Sequence, residues 1–244
     1  MKLQSRVQLI TYPDSLGGNL AALQEIIQRY FPDLFSGGIH ILPPYPSSGD
    51  RGFAPLDYSR IDPQFGSWED IGKIGAKYGV MLDVMVNHIS RRSAYFQDFL
   101  KNGRSSPHAD MFLTIDKIWP DGRPVQADID KMFLRRPLPY STFTVGNGQE
   151  EIVWTTFGKT DPSEQIDLDV KSPLTKQYLS GIFRHFKANH VNMVRLDAVG
   201  YVIKKPETSC FFVEPDIYEF MDWVAEQAKE HGIALLPEVH AHYS

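Results

Sequence analysis

Apolar residues follow two alternating textures along the chain. Short dense runs occur at 7–12 (VQLITY), 39–42 (IHIL), 80–87 (VMLDVMVN), 193–199 (MVRLDAV) and 233–239 (IALLPEV). Runs of this length and content predict strands. The run 80–87 is almost wholly apolar, as strands buried on both faces of a parallel sheet are. Between the runs, apolar residues recur every three or four positions, as on one face of a helix. In 19–30 they are Leu20, Leu23, Ile26 and Ile27. Ser67, with Asp70 three residues on, predicts an N-cap for a helix over 67–78, closed by Gly79. Helices over 174–190 and 215–230 complete the set, the second closed by Gly232.

The stretch 89–165 breaks this pattern. It is rich in Pro, Gly, Asp and Arg and sustains no period. It is too long for an ordinary connection, so it reads as an inserted domain between a first part, 1–88, and a continuation, 166–244. The order β-α-β-α-β-insert-α-β-α-β predicts an α/β fold with a parallel sheet and helical crossovers. A doubly wound sheet and a (β/α)8 barrel both fit that order. A doubly wound nucleotide fold would carry a glycine-rich phosphate loop, and Gly17-Gly18 has no GxGxxG around it. A full barrel takes about 250 residues before insertions. The 244 residues here show five strands, which predicts a barrel ending after strand five.

Composition narrows the function classes. Hydrophobic residues make up 42% and charged residues 23%, which excludes a disordered chain. No apolar run approaches the ~18 residues of a membrane span, and no signal-peptide core opens the chain. One cysteine, Cys210, rules out an intrachain disulfide and points to the cytoplasm. Net charge is −5 with no basic run, so nucleic acid is not expected as a partner.

In barrels the working side chains lie at the carboxyl ends of strands. Asn87 and His88 end the third run; Arg195 and Asp197 lie on the fourth; Glu238 and His240 lie on the fifth. Period two puts Arg195 with Asp197, and Glu238 with His240, on one face each. Two carboxylates at one barrel mouth suit glycosidic cleavage with retention, one as nucleophile and one as acid/base. An adjacent arginine would keep Asp197 ionised, and the apolar setting of LLPEV would raise Glu238. A purely structural Arg–Asp ion pair remains the alternative for RLD.

VQLITY, GGIHILP, GDRGFAPLDY, GSWEDI, DVMVNH, MFLT, RLDAVGY, TSCFF and PEVH together resemble the sucrose phosphorylase branch of the α-amylase superfamily, over essentially the whole chain. The resemblance implies an α-amylase-type barrel with domain B inserted after strand three. It implies retaining α-glucosyl transfer between sucrose or sucrose 6′-phosphate and inorganic phosphate. The product would be α-glucose 1-phosphate, formed through a covalent glucosyl-enzyme without cofactor or metal. Asp197 matches the nucleophile, Glu238 the acid/base and Arg195 the residue orienting the nucleophile. Asp50 and His88 match holders of the glucosyl hydroxyls, and Phe53 an aromatic platform. Core packing is the alternative for Phe53 and His88.

Acceptor-side candidates are Tyr201, His240, Phe157 and Gln165. Arg135 and Arg136 are adjacent in KMFLRRP and could offer a fork to a phosphate, the alternative being a solvated pair. Calcium is not implied, although Asn87 lies in a suitable region. Glucosylglycerol phosphorylase, an α-glucosidase or transglucosidase, and a non-catalytic sugar-binding piece are the other function classes. The family's third carboxylate has no counterpart before Ser244. Five strands leave two open sheet edges, so residues 1–244 alone are expected to dimerise or aggregate and to lack phosphorolysis.

Overall fold

A computed structural model of the protein describes residues 6–158, 161 and 163–239. Five parallel strands form the main sheet: β1 (Gln8–Thr11), β2 (Gly38–Ile41), β3 (Val80–Met85), and two from the far end of the chain. The elements between are α1 (Leu20–Tyr30), α2 (Trp68–Gly75), β4 (His88–Ser90), α3 (Ala94–Asn102), α4 (Gln126–Ile129), β5 (Tyr140–Thr144), β6 (Glu150–Trp154), β7 (Gln165–Asp167) and α5 (Pro173–Ala188). Then come β8 (Met193–Asp197), α6 (Asp216–His231) and β9 (Ala234–Pro237). The sheet order is β1-β2-β3-β8-β9, every neighbour pair parallel. Helical crossovers between parallel strands are the arrangement that the alternating textures predict.

Local signals account for most element ends. Asn19 caps α1, its Oδ1 accepting from the Ala22 N–H at 2.9 Å. Ser67 caps α2, with its N–H donating to Asp70 Oδ2 at 2.9 Å. That helix stops at Gly75, three residues before the expected Tyr78, so Gly79 does not terminate it. Gly232, at φ +64°, does close α6.

The core is packed by the faces the periodicity picks out. Leu20, Leu23 and Ile27 of α1, and Leu179, Ile182, Phe183 and Phe186 of α5, are buried against Ile39, Ile41, Leu82, Val84, Val194 and Leu196. Phe186 lies 5.6 Å from the Trp68 ring and 6.1 Å from both Tyr45 and Tyr58.

Residues 88–167 hold regular elements that the sequence reading did not resolve. β4 pairs with β7 and β5 with β6, both antiparallel. The β5–β6 turn carries Asn147-Gly148, with Gly148 at φ +81°, a strong hairpin signal. Ser93 caps α3 by accepting from the Phe96 N–H. This segment has two apolar clusters of its own. One centres on Phe96, Phe99 and Phe112, the other on Trp119 stacked against Trp154 at 5.6 Å.

Phe186→Ala should remove a fully buried ring from the reach of three aromatic neighbours and cost about 3–5 kcal/mol of unfolding free energy. Urea denaturation followed by tryptophan fluorescence measures it; a loss under 1 kcal/mol, on the order of a surface change, would contradict this packing.

Candidate active site

The carboxyl ends of β3, β8 and β9 converge on one cleft. Period-two alternation puts Arg195 and Asp197 of β8 on the same side, and Asp83 of β3 is the register partner of Arg195. Arg195 Nη1 donates to Asp197 Oδ1 at 3.0 Å and also to Asp83 Oδ1. Its Nη2 reaches Glu238 Oε1, just past β9, at 2.8 Å. One guanidinium therefore holds three carboxylates on three neighbouring strands. Ala198 follows Asp197 in the left-handed region, φ +55°, and its N–H donates to Glu238 Oε2 at 3.0 Å. Non-glycine residues adopt that region rarely, and do so disproportionately at functional sites.

The electrostatics depart from the sequence expectation. Asp197 is 8% exposed, and its carboxyl is pushed up to about 7. Burial is the main cause and the Glu238 charge beside it the next; Arg195 opposes both. Arg195 lowers Asp197 but does not offset its burial and the Glu238 charge. The apolar surroundings expected for Glu238 are also not formed by the described residues. Leu236 is 46% exposed and the Glu238 side chain 35%.

The cleft has a volume of about 280 Å³. That is room for one sugar ring, at the small end of ligand sites. Asp50, Phe53, His88, Arg135, Phe157, Gln165, Tyr201, Arg195, Asp197 and Glu238 all line it. Asp50 sits in a tight loop with Arg51 (both φ +52°) and Gly52 (φ +104°). A Cβ at Gly52 would meet the Pro43 carbonyl oxygen at 2.5 Å, so the loop needs glycine there. Gln165 ties the loop down, its Nε2 donating to Asp50 Oδ2 and to the Phe53 carbonyl. His88 Nε2–H donates to the same carbonyl at 2.8 Å. Burial keeps the His88 imidazole below its usual pKa and hence neutral, leaving Nδ1 an acceptor. Phe157 lies between His88 and Tyr201, 5.3 and 5.0 Å from them.

Several polar atoms of the cleft residues are buried without a partner among the described residues: His88 Nδ1, Gln165 Oε1 and Tyr201 Oη. Buried polar groups are normally paired, so these cleft atoms are available to meet a polar ligand. The two arginines of KMFLRRP part company. Arg135 lies over the Tyr201 ring at 5.3 Å and lines the cleft. Arg136 turns away, its Nε donating to the Thr155 carbonyl at 2.7 Å and its Nη2 to Ser141 and Thr155 hydroxyls. They do not form the expected fork. His240 lies outside the described residues.

The sequence reading missed several contributors. Phe211 lines the cleft and packs 4.8 Å from Tyr201; a Cβ at Gly200 would meet its ring at 2.6 Å, which is why the turn after β8 carries glycine. Lys204 is buried, its Nζ donating to Asn87 Oδ1 (2.7 Å), Asp167 Oδ2 (2.5 Å) and the Tyr201 carbonyl. Asp167 also accepts from the Thr156 N–H and hydroxyl. A buried ammonium thus ties the end of β3, β7 and the turn after β8 together. A lysine in a polar stretch carries no sequence signal for this. Asn87, noted for its region's suitability for calcium, is engaged by that ammonium.

The α-amylase catalytic-domain family model matches residues 10–243. A Sucrose 6(F)-phosphate phosphorylase of Thermoanaerobacterium thermosaccharolyticum is 64% identical over all 244 residues, which make up 50% of that protein. A Sucrose phosphorylase of Streptococcus mutans is 44% identical, and a Glucosylglycerol phosphorylase of Marinobacter adhaerens 41%; each matches the whole chain and half of the relative. The chain thus spans about half the length of the curated relatives it matches. Among solved structures, a sucrose 6F-phosphate phosphorylase from Thermoanaerobacter thermosaccharolyticum superposes with a TM-score of 0.96 at 64% identity, over 99% of this chain and 49% of that one.

Lys204→Met should leave Asp167 and Asn87 buried without their cation and cost about 3–5 kcal/mol. Chemical denaturation of the two proteins side by side measures the loss; equal stability would mean the cage is not under tension from its charges.

Proposed function

The chain belongs to the α-amylase family, and from that premise we propose that it carries the glucosyl-binding and nucleophile side of a retaining α-glucosyl phosphorylase. In this reading residues 1–88 and 166–244 are part of a (β/α)8 barrel and 89–165 its inserted domain B. The observation that carries the reading is the Arg195 guanidinium holding Asp197 and Glu238 together at the floor of a cleft sized for one sugar. Two acids close enough to share one cation suit the retaining geometry better than the wider inverting one.

Asp197 attacks the anomeric carbon of the glucosyl donor and forms a β-glucosyl ester, while Glu238 gives its proton to the leaving oxygen. Inorganic phosphate then displaces Asp197 from the side the leaving group vacated. Two inversions return the α configuration, as α-glucose 1-phosphate. Phe53 faces the sugar ring, and Asp50, His88 and Gln165 receive its hydroxyls through the unpartnered His88 Nδ1 and Gln165 Oε1. The orienting role of Arg195 also places positive charge beside the departing carboxylate. No cofactor is needed for this chemistry.

The donor is a sucrose-like glucoside, and the 64% identical relative's name favours the 6-phosphorylated form. Arg135, beside Tyr201, is the cation on the acceptor side. The partners are then sugar and phosphate, in the cytoplasm.

Trapping with a fluorinated glucosyl donor in the full chain tests the nucleophile. An adduct on wild type but not on Asp197→Asn is expected; an intact adduct in the variant sinks the assignment. The raised Asp197 value has two further consequences. Only the ionised form attacks, so kcat/KM should climb with pH through about 7 on its acid side. Between about pH 4, where the unfolded carboxyl titrates, and about 7, the folded state holds a proton the unfolded chain has lost. Stability from this group is therefore present at low pH and lost as pH rises through about 7. Asp197→Asn should gain Tm over wild type at pH 8 and keep little of that gain at pH 4; calorimetry at the two pH values reads it.

Arg135→Ala should raise KM for phosphate or for a phosphorylated acceptor by about tenfold, the size of one charged hydrogen bond, while Arg136→Ala leaves both unchanged. The reverse order in steady-state kinetics would return the phosphate contact to Arg136.

A further inference from the structure

A line of alternating partners crosses four adjacent strands. His40 is on β2, Asp83 on β3, Arg195 and Asp197 on β8, and Glu238 follows β9. Asp83 is fully buried and His40 is 4% exposed. Each Asp83 oxygen has its own partner. Oδ1 takes Arg195 Nη1, and Oδ2 takes His40 Nε2 at 2.7 Å. A carboxylate facing a guanidinium has no proton to give, so the hydrogen between His40 and Asp83 is on Nε2. The Tyr45 hydroxyl donates to the Asp83 carbonyl at 3.1 Å and fixes the strand beneath.

A carboxylate and a guanidinium prefer to meet in a two-pronged clamp. Here they do not, because His40 occupies the second oxygen. Arg195 therefore keeps N–H groups free for Asp197 at 3.0 Å and Glu238 at 2.8 Å. We propose that His40 is a positioning residue for the active site: by holding Asp83 Oδ2 it stops Asp83 from clamping Arg195, and so keeps the guanidinium aimed at Asp197 and Glu238. His40 does not line the cleft, so its action on a sugar runs through Asp83 and Arg195 alone. The kinetic arm of the test rests on the glycosyl transfer proposed above; the structural arm does not.

The test compares His40→Leu and His40→Gln in the full chain. Glutamine can bring an amide N–H to about the place of Nε2, whereas leucine brings none. Crystal structures should show Arg195 turned onto both Asp83 oxygens and out of hydrogen-bond distance of Asp197 in H40L, and unmoved in H40Q. With a glucosyl donor, H40L should lose about tenfold in kcat, the worth of a charged hydrogen bond. Its KM for the donor should stay within about twofold, because groups that touch the sugar are intact. H40Q should recover most of the loss. Should H40L fail to fold, His40→Asn takes its place, since the shorter amide stops short of Oδ2 and should behave as leucine does. An Arg195 that keeps its bond to Asp197 without a donor at position 40 overturns the proposal, as does an unchanged kcat in an active enzyme. A wild type that transfers no glucosyl group overturns the phosphorylase reading instead, and the position of Arg195 in the variant crystals still decides the role of His40.

Discussion

A guanidinium carries its charge across a plane with five N–H donors, and at the centre of this sheet one such plane serves three acids. Asp83, Asp197 and Glu238 come from three neighbouring strands, and each is within hydrogen-bond reach of Arg195. Their mutual repulsion would splay the strand ends without it. With it, β3, β8 and β9 bring their carboxyl ends to one point. Burial first, and the Glu238 charge beside it second, still lift Asp197 toward neutral pH although it touches an arginine.

A second cation does for the rim what Arg195 does for the floor. Among the described residues Lys204 pairs with one counter-charge, Asp167, and is further satisfied by Asn87 and a backbone carbonyl. Those partners come from the end of β3, from β7 and from the turn after β8. The ammonium therefore welds the segment 88–167 to the sheet at the side of the cleft. The same contact fixes the turn that presents Tyr201, so the aromatic wall of Phe157, Tyr201 and Phe211 depends on a charge buried behind it.

These two clusters share a logic. Each is a cation shared among several acceptors, Lys204 fully buried and Arg195 partly so at the cleft floor, and its loss would strand them; neither adds much net stability over an apolar core, yet each dictates one arrangement of the elements around it. That rigidity holds His88 Nδ1 and Gln165 Oε1, two acceptors without a partner among the described residues, at fixed places in the cleft wall.

By itself the sequence determined the parallel α/β order and the strands whose carboxyl-end residues line the cleft. The reason is that strand and helix periodicities are local, and Arg195-Leu-Asp197 on a strand shares a face whatever surrounds it. The cleft residues Asp50, Phe53, His88 and Tyr201 were legible for a different reason, the motif wording around them. The tertiary structure alone decided how charge is divided. Nothing local says that Arg195 serves Asp83 and Glu238 as well as Asp197, or that burial raises Asp197 toward about 7 despite it. Nothing in adjacent Arg135 and Arg136 says that one faces the cleft and the other a hydroxyl pair on β5 and beyond β6. Lys204 and His40 carry no pattern at all, because their side-chain partners lie 37 or more residues away in the chain, and only folding brings those together.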